Sequence, residues 1–147
     1  MQREIKLRVW NKAWACMYYL TGFHLVGKTH IQLYYLDSDG DNTTCTVLIK
    51  NIIIMQFTGL LDKNGKDIYE GDILDIRYCF AEKGIVKFGK YKQCDMSSDY
   101  ECGNQGFYVD STKGTDRYRH DLYYYAPISE DIGNIHDNSE LLNDMIG

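Results

Sequence analysis

Two carboxylates flank a glycine near the middle of the chain, in the stretch Tyr69-Glu70-Gly71-Asp72. Paired carboxylates can share general acid and general base work when their surroundings separate their pKa values. Short acidic side chains can also hold a tight corner, because they accept hydrogen bonds from nearby backbone N–H groups. Glu70 and Asp72 are therefore candidate catalytic residues, and the corner role is the favoured interpretation.

The segment from Gly22 to Thr29 has the spacing of a phosphate-binding loop, with a glycine, four residues and then Gly27-Lys28-Thr29. Such a loop works at the start of a helix, where backbone N–H groups surround the phosphates. Residues His30–Leu36 instead alternate like a strand. We interpret the match as a hairpin and expect no nucleotide.

Two sets of residues have the chemistry of metal ligands but not the spacing. Counted from Asp37, an EF-hand calcium loop needs glycine at position six and glutamate at position twelve, where this chain has Asn42 and Leu48. We interpret the loop from Asp37 to Asn42 as an exposed hairpin tip. The second set has no Cys-x-x-Cys pair and comprises Cys94, Cys102, His120 and His136. No metal site and no cofactor are expected.

A basic and aromatic stretch lies between Arg117 and Tyr125. Aromatic rings interleaved with cations can stack on the bases of a single strand while the cations neutralise its phosphates. Tyrosines in strands more commonly belong to a core or a protein interface. The candidate binding residues are Arg117, Tyr118, Arg119, Tyr123 and Tyr125, and Lys87, Lys90 and Lys92 could extend the patch.

The composition is that of a globular chain of 147 residues, with 13 tyrosines and 13 glycines but one proline. A net charge of -5 argues against an electrostatic clamp on nucleic acid. We expect no membrane span and no signal peptide, since no apolar run approaches the ~20 residues of a membrane helix. Five cysteines without framework spacing favour free thiols in a reducing cytoplasm.

The elements that must position these residues are mostly strands. Residues 55–74 are typical of a strand, an Asn-Gly turn and a glycine corner leading to another strand. We predict one domain over residues 1–147, a barrel or sandwich of short antiparallel strands with one short C-terminal helix. Its N-terminal β segment is 1–54 and its β core 55–147. Predicted strands are 5–10, 16–20, 29–36, 43–49, 52–57, 72–80, 84–88, 107–109 and 121–126, with a long loop at 89–106 and a helix capped by Asn138.

The central segments Met55–Leu60, Asp62–Gly65 and Ile68–Ile73 resemble the YopX family of small phage and prophage proteins. Lys6–Asn11 and Ile132–Leu142 are similar to the family's terminal segments. The resemblance implies a predominantly β pseudobarrel and transfers no catalytic residue. We interpret the shared residues as scaffold, with the glycines supplying backbone freedom. These signature residues are Trp10, Phe57, Gly59, Asp62, Gly65, Tyr69, Gly71, Asp72, Gly133 and Asn134.

Three functions are compatible with these patterns. The leading hypothesis is a cytoplasmic, non-enzymatic accessory protein of a phage or prophage that binds or assembles with another macromolecule, with homo-oligomers as one form. The first alternative is a nucleic-acid-associated regulatory protein of a mobile element that uses the basic and aromatic stretch. The second is a small enzyme that uses Glu70 and Asp72, with His120 or His136.

Overall fold

The computed structural model describes residues 4–76, 83–92, 103–110 and 119–146, with the backbone alone at 92, 103, 104, 119, 120 and 144–146. The chain divides into two compact units, Met1–Phe57 and Thr58–Gly147. Each unit has its own buried cluster of apolar side chains. The two units are therefore described in turn.

The first unit is an antiparallel sheet with the strand order β4-β3-β2-β1-β5. Tight hairpins connect its first four strands, as alternating apolar residues between short polar turns predict. A 3-10 turn at Ile49–Asn51 leads into β5, which continues into the second unit. The strands are β1 (Leu7–Asn11), β2 (Cys16–Val26), β3 (His30–Leu36), β4 (Asn42–Leu48) and β5 (Ile52–Leu61).

One face of the first sheet carries the core of that unit. Val9, Ile31, Leu33 and Val47 are at most 6% exposed and form one apolar cluster. Leu33 lies opposite Cys45, and Ile31 lies opposite Val47, so these side chains share a face across β3 and β4. Tyr18 packs at the margin of this cluster.

The second unit contains a five-stranded antiparallel sheet with the order β10-β9-β8-β7-β11, and β6 lies beside β5. Its short helix α1 runs into a 3-10 turn at Ala126–Ile128, and α2 lies near the C-terminus. The elements are β6 (Asp67–Tyr69), β7 (Asp72–Asp75), β8 (Lys83–Lys92), β9 (Gly103–Asp110), β10 (Arg119–Asp121), α1 (Leu122–Tyr125), β11 (Glu130–Asn134) and α2 (Glu140–Ile146).

The core of the second unit lies between its sheet and α1. Ile68, Leu74, Val86, Val109 and Leu122 are each at most 1% exposed. Val86 lies opposite Val109 across β8 and β9, so β7, β8 and β9 present one apolar face to Leu122 and Ala126. Burial of this face is the main favourable term for the unit.

The predicted fold class, mainly β with a short C-terminal helix, is confirmed. Three local predictions were wrong. The predicted strand at 121–126 is a strand end followed by α1, because Asp121 caps a helical turn. The predicted loop at 89–106 is strand at both ends, where β8 pairs with β9. Sequence periodicity also missed β11, since its five residues carry a glycine and only one large apolar side chain.

Candidate functional site

Asp62 is the centre of a turn that joins two distant parts of the second unit. It is 6% exposed and directly follows β5, which ends at Leu61. One carboxylate oxygen, Oδ1, accepts hydrogen bonds from the backbone N–H groups of Asn64 at 2.8 Å and Lys66 at 2.9 Å. The other, Oδ2, accepts from the N–H of Asp131 in β11 at 2.9 Å. This carboxylate therefore closes the local turn and binds β11 to it.

These hydrogen bonds set the charge state of Asp62. Burial opposes ionisation, but the N–H groups of Asp131, Lys66 and Asn64 favour the carboxylate. The pKa of Asp62 consequently lies below its ordinary value. A carboxyl group held ionised in this way is a poor general acid near neutral pH.

The glycine corner between β6 and β7 is held by Asp72. Asp72 is 2% exposed, and its Oδ2 accepts a hydrogen bond from the Tyr69 N–H at 2.8 Å. Gly71, with φ of 89°, donates its N–H to the carbonyl of Val86 at 2.8 Å, and its own carbonyl accepts from Ile135 N–H at 3.0 Å. Glu70 is half-buried in the same turn. The corner thus connects β8 to the segment that follows β11.

Asn134 organises the turn after β11. Its Oδ1 accepts from the backbone N–H groups of His136 at 2.9 Å and Asp137 at 2.8 Å. The Asn134 backbone N–H donates to Oδ1 of Asn138 at 3.1 Å. A Cβ at Gly133, where φ is 151°, would lie 2.6 Å from Cγ of Asn138, so this position requires glycine.

The signature residues thus use their polar atoms on the backbone of the second unit. Asp62, Asp72 and Asn134 are all buried, and their side-chain oxygens accept hydrogen bonds from the backbone N–H groups of Asn64, Lys66, Asp131, Tyr69, His136 and Asp137. Such an arrangement stabilises the turns and fixes the register of the neighbouring strands. The remaining signature residues are Trp10, half-buried in β1; Phe57, buried in β5; Gly59 and Gly65, both with positive φ; and Tyr69, buried in β6.

Sequence reasoning did not single out Asp110 and Asp131. Asp110 is 5% exposed and its Oδ2 accepts a hydrogen bond from Nζ of Lys87 at 2.8 Å. Nζ of Lys66 lies 3.4 Å from Oδ1 of Asp131. In the part of the chain that the structure describes, the second oxygen of each carboxylate is buried without a hydrogen-bond partner. Asp110 has no local sequence signal, because Lys87 comes from another strand. Asp131 Oδ1 also accepts a hydrogen bond from the Gly133 N–H at 3.2 Å within β11, but its ion pair comes from a distant turn.

The structure separates the members of the predicted basic and aromatic patch. Arg117 and Tyr118 lie outside the described residues, and Arg119 lies opposite Asp110 at the start of β10. Tyr125 is half-buried against the apolar core. Lys87 is engaged by Asp110, Lys90 is exposed opposite Gln105, and Lys92 continues β8.

Tyr123 and Tyr124 form an exposed aromatic pair on α1. They are 68% and 67% exposed, and their ring centroids are 5.8 Å apart in an edge-to-face arrangement. Asp121 accepts the Tyr123 N–H at 2.9 Å, and Leu122 is fully buried beneath the helix. The fold therefore presents two aromatic rings on an anchored turn, which is typical of a contact surface.

Among the described residues, no three His, Cys, Asp or Glu side chains are grouped so that they could hold a metal ion. Asp37 accepts hydrogen bonds from the N–H groups of Asp39 and Asp41, both at 2.9 Å, in the tip between β3 and β4. Cys94 and Cys102 lie outside the described residues, the side chain of His120 is not described, and His136 is half-buried. The phosphate-loop match is the end of β2 and the turn into β3, where Val26 pairs with His30.

A family model with the description YopX protein matches residues 6–143. The chain belongs to the YopX family. It is also similar to the crystal structure of protein EF1440 from Enterococcus faecalis, with 22% identity, 96% of this chain and 99% of that chain covered, and a TM-score of 0.56. At this identity the similarity shows a shared fold alone. No curated protein matches the chain. Within the described residues, none of the helices is both long enough and apolar enough to span a bilayer.

Proposed function

We propose that this YopX-family protein is a non-enzymatic binding or assembly module that acts on another macromolecule. The observation that carries the proposal is the exposed pair Tyr123 and Tyr124 on α1. Large rings on an anchored turn lose little conformational entropy on binding, so they make effective contact residues. We place the protein in the cytoplasm because of its cysteine usage, and in phage or prophage biology because of the family resemblance.

The signature carboxylates support a scaffold role over catalysis. Asp62 and Asp72 direct their oxygens at backbone N–H groups within the second unit. An acid–base pair needs groups that reach a substrate with pKa values near the working pH. The pKa of Asp62 is instead lowered by its backbone donors.

The distribution of charge favours a protein partner over a nucleic acid. Acidic residues outnumber basic ones between Thr58 and Gly147, where the aromatic pair lies. Lys87, one of the cations of the predicted patch, is held by Asp110 at 2.8 Å. Neutralisation of phosphates by cations is the main term in nucleic-acid affinity, and the acidic balance of this unit makes that term weak.

The test places a photo-cross-linking phenylalanine analogue at Tyr123 or at Tyr124 and captures partners from nuclease-treated extract of cells that carry the gene. We expect one protein partner to be captured from both positions. The variant Tyr123→Ala with Tyr124→Ala should lose most binding of the identified partner in a direct titration with purified proteins. Tyr19→Ala, which removes a tyrosine that is 54% exposed in the first unit, is the matched control.

Two results would contradict the proposal. The first is partner affinity that is the same in the double variant and in the wild type. The second is fluorescence anisotropy that shows binding of single-stranded oligonucleotides, weakened by salt and lost with Tyr123 and Tyr124, which would favour the nucleic-acid alternative.

A further inference from the structure

Strand β4 is an edge of the first sheet. All seven of its residues, Asn42–Leu48, are in continuous antiparallel register with β3, and no other described strand lies beside it. An edge strand presents a row of backbone N–H and C=O groups that can pair with another strand. Soluble proteins commonly block such edges with charge, proline or a bulge.

The hydrogen bonds just beyond each end of the ladder show which groups face outward. Asp37 N–H donates to Asp41 O, and Ile49 N–H donates to Thr29 O, both at 2.9 Å. Hydrogen-bonded pairs alternate along an antiparallel ladder, so residues at odd positions of β4 bond to β3. The backbone groups of Thr44 and Thr46 therefore point to the open edge, and their side chains are exposed.

None of the usual protections occurs on this edge. The sequence Asn-Thr-Thr-Cys-Thr-Val-Leu contains no charged residue and no proline, and its pairing with β3 has no bulge. Threonine and valine favour strands, and threonines pair well across neighbouring strands. The outward-facing backbone N–H and C=O groups of this edge are thus accessible, and its side chains are suited to pairing with another strand.

The two ends of β4 carry opposite charge. The loop before it holds Asp37, Asp39 and Asp41, and Lys50 lies two residues after its last residue, Leu48. Lys28 and Lys50 line a shallow depression of about 390 Å³ together with Thr29, Leu48 and Ile49. A second β4 laid antiparallel would bring the acidic end of each copy to the lysine end of the other.

We propose that β4 is a homodimerisation edge, at which two copies of this chain pair their β4 strands antiparallel about Cys45. In this register Thr44 of each copy pairs with Thr46 of the other, and Asn42 pairs with Leu48. Every outward-facing residue of the strand gains a partner, and Asp41 of each copy lies opposite Ile49 of the other, one residue from Lys50. The pairing forms a continuous sheet through a twofold axis, the commonest symmetry of homodimers. This proposal is independent of the role of Tyr123 and Tyr124.

Sedimentation equilibrium of the full chain tests the edge. We expect a monomer–dimer equilibrium in the wild type, and at least a tenfold weaker dimer in Thr44→Lys with Thr46→Lys, because like charges would then face each other across the twofold axis. Thr21→Lys, at an exposed position of β2, is the control and should dimerise as the wild type does. Circular dichroism and thermal unfolding identify any variant that fails to fold.

Charge exchange tests the register. Lys50→Glu alone and Asp41→Lys alone should each weaken the dimer about tenfold at low salt, since two symmetric contacts become repulsive. The two substitutions together restore opposite charges across the interface and should recover most of the affinity. Lys12→Glu, at the turn between β1 and β2, is the control.

The proposal is overturned if the folded wild type remains a monomer throughout the concentration series. A dimer that tolerates lysine at Thr44 and Thr46 would place the interface elsewhere. A dimer that is weakened by the edge variant but shows no recovery when the Lys50 and Asp41 substitutions are combined would exclude the antiparallel register.

Discussion

At the scale of single residues, Asp62 shows how one side chain can organise a large part of a fold. Its two oxygens serve different purposes, since Oδ1 accepts from Asn64 and Lys66 in its own turn and Oδ2 accepts from Asp131. The last contact links positions 69 residues apart. Hydrogen bonds to a buried charged acceptor contribute more to the stability of the fold than hydrogen bonds between neutral groups. Asp62 should therefore stabilise the fold more than its exposed neighbours do.

We expect Asp62→Asn to lower the free energy of unfolding by about 1–3 kcal/mol, because an amide nitrogen cannot accept and one buried backbone N–H loses its acceptor. Urea unfolding followed by circular dichroism measures this change. Asp39→Asn, at the exposed tip between β3 and β4, is the matched control and should change stability by less than about 0.5 kcal/mol. Equal effects in the two variants would refute the special role of Asp62.

Acid should destabilise the protein partly through Asp62. Its pKa is lower in the folded state than the ordinary 3.8, so the stabilisation is complete above the unfolded-state value and is lost as the pH falls through the folded-state value. Unfolding free energies measured from neutral pH down to about pH 2 should therefore fall more steeply in the wild type than in Asp62→Asn. Parallel pH profiles would show that other carboxylates dominate.

At the scale of elements, the turns of the second unit form hydrogen bonds between strands that are far apart in the sequence. Gly71 bonds to Val86 in β8 and to Ile135 after β11, while Asn134 and Asn138 fold the chain back between β11 and α2. These contacts position β7 between β8 and β11 in the sheet. Substitutions in the turns should therefore affect the pairing of strands that lie outside them.

Gly133→Ala and Gly89→Ala form a matched pair, because both glycines have φ of 151°. The strain on an alanine should cost about 1 kcal/mol at either site. At Gly133 the new methyl group would also displace Asn138 and its hydrogen bond to Asn134, whereas nothing lies within 4 Å at Gly89. Thermal unfolding should show Gly133→Ala to be less stable by about a further 1 kcal/mol. Indistinguishable melting curves would argue against the Asn138 contact.

At the scale of the whole molecule, the residues that the structure describes form two buried apolar clusters, one in each unit. The cluster of the first unit includes Val9 and Leu33, and that of the second includes Leu74 and Val109. β5 passes from one unit to the other. A chain built in this way can respond locally when one of its clusters is weakened.

Leu33→Ala and Leu74→Ala should each destabilise their own unit by about 2–5 kcal/mol, since both side chains are fully buried and truncation leaves a cavity. Native-state hydrogen exchange should show faster exchange mainly in β1 to β4 for Leu33→Ala. For Leu74→Ala the faster exchange should lie in β7 to β9. Uniform acceleration over all strands in both variants would show instead that the two clusters unfold as one.

The local sequence determined the strands of the first unit and the position of several turns. Alternation indicated β3 and β4, the Asn-Gly pair indicated the turn at Asp62–Gly65, and polar and apolar spacing near the C-terminus indicated α2, which begins at Glu140. Each of these features depends on neighbours within a few residues, so the pattern is contained in the segment itself. Asn138, predicted as the cap of that helix, uses its Oδ1 to accept the Asn134 N–H.

Only the tertiary structure decided which distant segments these residues would join. The bond between Asp62 and β11 and the pairing of β8 with β9 inside a predicted loop both depend on partners brought together by folding. Tyrosine-rich residues 121–126 favour a strand by composition, yet a buried Leu122 and a capped turn stabilise a helix there. Hydrogen bonds and burial between distant residues leave no periodic trace in either segment, which is why the sequence pattern alone could not predict them.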